Sequence, residues 1–393
     1  MRLLIATDAF KDALSASEAC QAIARGARQA WPQARIRAFP LADGGEGSLD
    51  ILTRHLHLQS VETTTLDPLL RPIRAAYGLS PDGHTAFIEM ARASGLQLLA
   101  PTERNPLRTS TFGTGMLLAD AWQRGARQAV MAIGGSATND AGTGMAAALG
   151  WQFLDAAGRK ISPRGSRLRA IARILPPDPR SAVSFQRLEV ICDVNNPLYG
   201  PNGAAPIYGP QKGATPAAVK RLDAGLRHLA ERLETLLQRP GLAHSPGAGA
   251  AGGLGFGALA FLKASLRPGA ELMLDWTGFD QALATTDLLI TGEGQLDAQS
   301  LQGKLLHGIC QRAHRFGVPV IALCGQLRVS PEQWRSLGLH AAFSINPEPL
   351  PLPEMLRRTA ENLERAAAGL MWPIFLMWPI GGMWSMWSIG PLF

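Results

Sequence analysis

The chain has 393 residues, long enough for two domains with separate cores. With 46% hydrophobic and 18% charged residues, its composition excludes a disordered polypeptide. The net charge of +7 is scattered over arginines such as Arg25, Arg28, Arg35, Arg37, Arg71, Arg74, Arg164, Arg167 and Arg169. No basic run accompanies it, so no nucleic-acid partner is expected; the charge is read as a solvated surface or an attraction for small anions. Four dispersed cysteines, Cys20, Cys192, Cys310 and Cys324, make no zinc or disulfide framework. The apolar run Leu3–Ala6 is too short for a secretion signal, so a cytoplasmic protein without a membrane partner is expected.

In chain order, Leu3–Ala6 predicts a buried parallel strand, and the capping box Ser15-Ala16-Ser17-Glu18 opens a helix to about Ala30. Ile36–Leu41 is the next strand, with a helix after Gly47. From Val61 the texture turns to β segments at Val61–Thr65, Pro72–Gly78 and Thr85–Met90, which suggests an inserted domain. A helix over Thr114–Arg124 precedes the strand Val130–Ile133, a glycine loop and a small-residue helix, Ala141–Leu149. Arg159–Arg187 reads as surface loop, Leu188–Cys192 as a strand, and Thr215 with Pro216 opens a helix to Leu237. Asp287–Thr291, Val318–Leu323 and Ala341–Ile345 are further strands, alternating with helices over Lys304–Phe316 and Pro353–Ala367. The alternation predicts an α/β fold: a doubly wound, Rossmann-like parallel-sheet domain from 1–60 and 287–368, and a mixed α/β domain at 61–286 inserted in it. The tail, 369–393, carries a Met-Trp pair every six residues and no charge. It is read as a translated DNA repeat or frameshifted end in preference to a docking segment or membrane anchor.

The sharpest chemical signal is Gly134-Gly135-Ser136-Ala137-Thr138-Asn139-Asp140. An apolar strand opening through glycines into a helix gathers N–H groups where a phosphate or carboxylate can sit. Asn139 and Asp140 are read either as helix caps or as metal contacts. Gly247–Gly252 matches G-x-G-x-x-G, but no apolar strand precedes it, so close helix packing or backbone approach to a ligand is expected instead of a dinucleotide fingerprint. Gly303-Lys304 is followed by Leu305, so there is no Walker A motif. Phosphoryl transfer needs cations on the phosphates, Mg²⁺ on one or two carboxylates and a base for the attacking hydroxyl. Lys212 and Lys11 are the candidate catalytic cations and Asp193 the candidate base. Glu293 with Asp297, or equally Asp43 with Glu46, are the candidate Mg²⁺ ligands.

These segments form an ordered series: Thr7-Asp8-Ala9-Phe10-Lys11, Asp43-Gly44-Gly45-Glu46-Gly47, the 134–140 loop, Cys192-Asp193-Val194-Asn195-Asn196-Pro197, Gly209–Ala214, Gly247–Gly255, Thr291–Gly294 with Asp297, and Gly303-Lys304. The series, from about Met1 to Ala367, resembles the bacterial class I glycerate kinase family. Ala9 stands where that family usually has serine, and Ala141 where it has glycine. The resemblance implies phosphorylation of D-glycerate by ATP and Mg²⁺, with 2-phosphoglycerate as product in preference to 3-phosphoglycerate. Expected substrate and phosphate contacts are Asp8, Gly113, Thr114, Gly115, Gly134, Gly135, Ser136, Ala137, Thr138, Asn139, Asp140, Asn195, Gly252, Gly253 and Lys304. A homo-oligomer is compatible with the sequence but not called for by it. The rival readings are an NAD(P)-dependent hydroxy-acid oxidoreductase and a non-catalytic sugar-acid-binding protein.

Overall fold

The computed structural model describes residues 1–43, 48–180, 182–297, 300, 305–348 and 350–370. The strands are β1 (Arg2–Ile5), β2 (Arg35–Ala38), β3 (Gln59–Leu66), β4 (Pro72–Leu79), β5 (Thr85–Glu89), β6 (Gln128–Ala132), β7 (Gln152–Leu154), β8 (Arg173–Leu175), β9 (Arg187–Ile191), β10 (Ser265–Arg267), β11 (Leu288–Leu296), β12 (Val320–Leu327) and β13 (Ala341–Ser344). The chain divides into two units, Met1–Ala42 with the chain from Gly278 onward, and Asp43–Thr277.

The first unit is a five-stranded sheet in the order β13-β12-β11-β1-β2 with every neighbouring pair parallel. Parallel strands need crossovers, and helices supply them. The Ser15 side chain accepts from the Glu18 N–H while Glu18 returns to the Ser15 N–H, so Ala16–Ala30 starts where its capping box lies. This helix packs against Thr359–Ala368 so closely that a Cβ at Gly26 would overlap the Glu364 carbonyl. Leu3, Ile5, Ile23, Ile290, Leu323 and Leu363 form the core between them.

Two elements here depart from the sequence reading. β11 runs to Leu296, not Thr291, and stays paired with β12 through Glu293↔Cys324 and Gln295↔Gln326. The polar Thr-Gly-Glu-Gly segment looks like a loop, yet Gly292 and Gly325 let the strand backbones approach where a Cβ would overlap Leu323 and Gly294 carbonyls. The single helix expected over Pro353–Ala367 is broken at Arg358 into Leu352–Arg357 and Thr359–Ala368.

The second unit holds a six-stranded sheet in the order β10-β9-β6-β5-β4-β3. β10, β9, β6 and β5 are parallel, while β4 and β3 add an antiparallel hairpin. Helix Ser48–Leu56, placed by sequence with the first unit, belongs here: the Leu49 N–H donates to Glu89 at the end of β5 (3.1 Å). The other boundary falls at 277/278 instead of 286/287, because Phe279 stacks on Phe39 of the first unit, centroids 5.8 Å apart.

Thr215 caps the long helix Pro216–Leu237 by accepting from the Ala218 N–H (3.2 Å), as its sequence predicts. Arg159–Arg187 is not simply surface loop. β8 pairs antiparallel with β7, and Leu168, Ile171 and Ile174 enter a core with Leu222, Leu226 and Phe256. Those apolar residues recur every third position among arginines, which masks them in a composition reading.

β6 and β9 are neighbours in parallel register, Ala132 opposite Ile191, so the segments after them leave the same sheet edge. That is the edge where open α/β sheets bind ligands. No helix among the described residues is long and apolar enough to cross a membrane. The tail from 371 lies outside the described residues.

Candidate functional site

The loop after β6 has an open half and a closed half. Gly134 and Gly135 are exposed, and among the described residues nothing beyond its chain neighbours lies within 4 Å of a Cβ built on Gly134. Gly135 has φ +72°, a left-handed conformation that glycine adopts without strain. Its carbonyl accepts from the Leu96 N–H (2.8 Å), and the Ala137 N–H donates to the Ser94 carbonyl (2.9 Å), fixing the loop on the 94–96 turn. Beyond Ala137 the chain dives inward, and Thr138, Asn139 and Asp140 are fully buried.

Asp140 makes the hydrogen bonds of a cap. One carboxylate oxygen accepts from the Thr111 N–H (2.8 Å), the Thr111 hydroxyl (2.9 Å) and the Gly144 N–H (3.1 Å), and the other from the Gly142 N–H (3.2 Å). It thereby joins the starts of helices Phe112–Gln123 and Thr143–Ala148. Burial pushes its pKa up, and the four donors oppose that shift.

Lys212 comes to this loop from a short 3-10 turn, Pro210–Lys212, closed by Gly213 at φ +88°. Its side chain is buried, and Nζ donates to the Ser136 hydroxyl (2.6 Å) and the Thr138 carbonyl (2.7 Å). Burial pushes its pKa down to about 7, with the Asp140 charge opposing. A desolvated lysine is thus held on the residue next to the open glycines, with the Ser136 hydroxyl and the Thr138 carbonyl as its contacts.

Other expected phosphate contacts are closely packed on the side a Cβ would occupy. Gly252 and Gly253 have φ +70° and +87°; a Cβ on the first would overlap the Thr138 carbonyl, and one on the second would sit 2.9 Å from Ala141 Cα. They brace the closed half of the loop from behind. Gly113 and Gly115 lie against the Leu66 and Met145 carbonyls, and the Thr114 hydroxyl pairs with Ser94 (2.7 Å), all within the interior. These residues share the small size of a ligand loop, but neighbouring backbone fills the space beside them.

Asp193 follows β9 and is exposed at the surface, its Oδ1 accepting from the Gly269 N–H (2.7 Å) at the start of helix Gly269–Trp276. The protein around its carboxyl raises its pKa, the Asp43 charge adds to that, and the Gly269 N–H opposes it. Asp43 and Asp193 meet at Gly269, where a Cβ would overlap the Asp43 carbonyl and lie 2.9 Å from Asp193 Oδ2. Asn195, three residues into the same segment, is exposed.

In the first unit, Asp8 accepts from the Ala9 N–H (2.7 Å) and Lys11 is exposed; the Lys11 backbone nitrogen is 3.6 Å from a Cβ built on Gly294. The loop after β1 therefore lies along the end of β11. Glu293 sits inside that strand instead of in a following loop, beside Cys310 and Cys324, whose thiols are pushed up by burial and then by its charge. Asp297 accepts from Gln295 Nε2 (2.7 Å) at one oxygen and from the Ser300 N–H (3.2 Å) at the other. Glu46 and Lys304 lie outside the described residues. Among the described residues no group of three or more His, Cys, Asp or Glu side chains converges as a metal site.

Sequence reasoning missed Thr111, which latches Asp140, together with Arg104 and Arg164. Each of these arginines has a buried Nε without a hydrogen-bond partner. The available signal was a cation before a tightly packed glycine, Arg164-Gly165, the same pattern as Lys212-Gly213.

Comparison with known proteins agrees with the motif series. The glycerate kinase family matches residues 3–374. A glycerate kinase of Halalkalibacterium halodurans is 45% identical over 370 residues, 94% of this chain and 97% of the relative. The glycerate 2-kinase of Escherichia coli K12 is 40% identical over 374 residues, 94% of this chain and 97% of that protein. A crystal structure assigned to glycerate kinase 2 from Salmonella typhimurium LT2 superposes with a TM-score of 0.84 at 39% identity, covering 96% of this chain and 99% of that one. Matched along nearly its whole length, the chain belongs to the glycerate kinase family.

Proposed function

We propose that the chain transfers the γ-phosphoryl group of ATP to the C2 hydroxyl of D-glycerate, giving 2-phosphoglycerate and ADP. The observation that carries this reading is the buried Lys212 side chain on Ser136, the residue next to the open Gly134–Gly135 backbone. Such a loop offers N–H groups and a desolvated lysine whose protonated form an incoming phosphoryl group would favour, with no side chain on the glycines in the way. Asp193 takes the hydroxyl proton as the substrate oxygen bonds to phosphorus and the bond to the leaving ADP oxygen breaks. Its pKa is raised by desolvation, which supports a stronger base than an ordinary carboxylate.

Mg²⁺ needs hard oxygen ligands and keeps waters and phosphate oxygens in its shell, so one or two carboxylates suffice. Asp43 fits that demand: it stands beside Asp193, and the two negative charges already repel. Asp297 fits less well, since local donors hold both its oxygens, and one Glu293 oxygen is buried. When bound, the ion neutralises charge on the transferring phosphates. Within the first unit, Lys11 and Asp8 stand at the end of β1, the sheet edge where open α/β folds bind ligands. The oxidoreductase alternative loses its support, because the 252–253 glycines are packed against backbone. Four free cysteines support a cytosolic setting.

The test is incubation with ATP, Mg²⁺ and D-glycerate, with the product identified by NMR. The expected result is 2-phosphoglycerate with stoichiometric ADP; no glycerate-dependent ADP, or 3-phosphoglycerate alone, overturns the reading.

A further inference from the structure

Unpartnered polar atoms concentrate in one part of the second unit. The Asn139 amide is fully buried, and neither its oxygen nor its nitrogen has a hydrogen-bond partner. The Thr138 hydroxyl beside it is equally alone, as are the buried Nε atoms of Arg104 and Arg164. Buried polar groups in folded proteins are nearly always satisfied, so a cluster of exceptions calls for an explanation. Arginines elsewhere in the chain show the usual pattern: Arg71 pairs with Asp67 and Glu103, and Arg267 with Glu189 and Asp275.

Backbone packing brings these residues to one place. Arg164 precedes Gly165, where a Cβ would lie 2.8 Å from the Asn139 carbonyl and would overlap the Pro106 carbonyl. Lys212 precedes Gly213, where a Cβ would overlap the Arg104 carbonyl. The Ser166 N–H donates to the Leu107 carbonyl (3.1 Å), and the Thr109 hydroxyl to the Ala137 carbonyl (3.0 Å). Segments 104–109, 164–166 and 212–213 therefore converge on the 136–140 loop, each bringing a cation. The carboxylate within that loop, Asp140, is already saturated by four donors. Lys212 has the Asp140 charge beside it, whereas Arg104 and Arg164 have no carboxylate partner among the described residues, and their charge asks for an anion from outside the chain.

We propose that Arg104 and Arg164 are the specificity-determining residues of the acceptor site, holding the carboxylate of the hydroxy acid, with the Asn139 amide as the polar floor beneath it. This rests on the kinase reading above and deepens it. Both arginines are only half-buried, so each guanidinium keeps an enclosed inner edge and a reachable outer one. A guanidinium fork matches a carboxylate with two parallel hydrogen bonds, which an ammonium cannot. The site thus discriminates a hydroxy acid from a neutral polyol of the same size.

The test compares the wild type with Arg104→Met, Arg164→Met and the conservative Arg164→Lys. Titration calorimetry with D-glycerate and steady-state kinetics for both substrates are read alongside Tm. Both methionine variants are expected to lose affinity for D-glycerate by about thirtyfold or more, with KM for ATP and Tm little changed and partial recovery in Arg164→Lys. D-lactate, which keeps the α-hydroxy-carboxylate, should compete in the wild type, and glycerol should not. An unchanged KM for D-glycerate overturns the proposal, as does a parallel shift of both KM values with a fallen Tm. If the wild type binds D-glycerate but transfers no phosphate, and the variants lose that binding, the kinase reading fails while this subsite stands.

Discussion

Gly134–Gly135 and Gly252–Gly253 are glycine pairs in small-residue segments, yet they meet opposite surroundings. The first pair is exposed, with open space where a Cβ on Gly134 would go. The second is buried with positive φ at both residues, and the Thr138 and Ala141 backbone fills the space a side chain would take. One pair leaves room for something outside the chain; the other lets the chain approach itself. The two pairs meet in one loop, because the second packs against the 138–141 backbone that follows the first.

The largest expected effect is on the closed pair. Gly252→Ala puts a Cβ into the Thr138 carbonyl at a left-handed residue, so it should cost about 3 kcal/mol or more and lower Tm and activity together. A normal Tm in that variant breaks the contrast. Asp193→Asn removes the proposed base while its remaining oxygen can still accept from Gly269, so kcat should fall roughly 10²–10⁴-fold with a smaller change in KM. A change confined to KM would make Asp193 a substrate-binding group only. Gly134→Ala sharpens the contrast from the other side. With no described residue beyond its chain neighbours within 4 Å of the added methyl, Tm should stay within a degree or so, while kcat/KM falls by about tenfold as the methyl meets the phosphoryl group. Equal kinetics in Gly134→Ala would place the ligand elsewhere.

The smallest effect is a pH dependence. Lys212 holds its proton less tightly when folded, with a pKa near 7 against an ordinary 10.5. Between those values the unfolded chain binds more protons, so the stability owed to this residue rises with pH; below about 7 both states are protonated and the burial cost is felt in full. Tm of the wild type relative to Lys212→Met should therefore climb by a few degrees from neutral to alkaline pH. A flat difference would mean that the lysine is not desolvated in solution.

Local chemistry was legible where one residue settles one hydrogen bond. Ser15 with Glu18, and Thr215 with Pro216, begin helices where their side chains demand. The α/β class was legible from apolar runs alternating with helices, and the comparisons bear it out. What escaped depends on partners distant in sequence. β11 continues past Thr291 because β12 lies alongside it, not because Gly292–Gly294 favour a strand. Asp140 reads as either a helix cap or a metal contact, and its hydrogen bonds to Thr111 come from another segment. Glycines 113, 115, 252 and 253 carry one signature for two uses, and only the neighbouring backbone tells packing from ligand approach. Arg104 and Arg164 were hidden among many arginines, since what marks them is a missing partner.

The central claim is that the desolvated Lys212, held next to the open glycines, acts in phosphoryl transfer, and Lys212→Met tests it most directly. With circular dichroism and Tm confirming a folded protein, its kcat for ATP-dependent phosphorylation of D-glycerate should fall by roughly 10³-fold or more. A folded variant with turnover near that of the wild type would contradict the account.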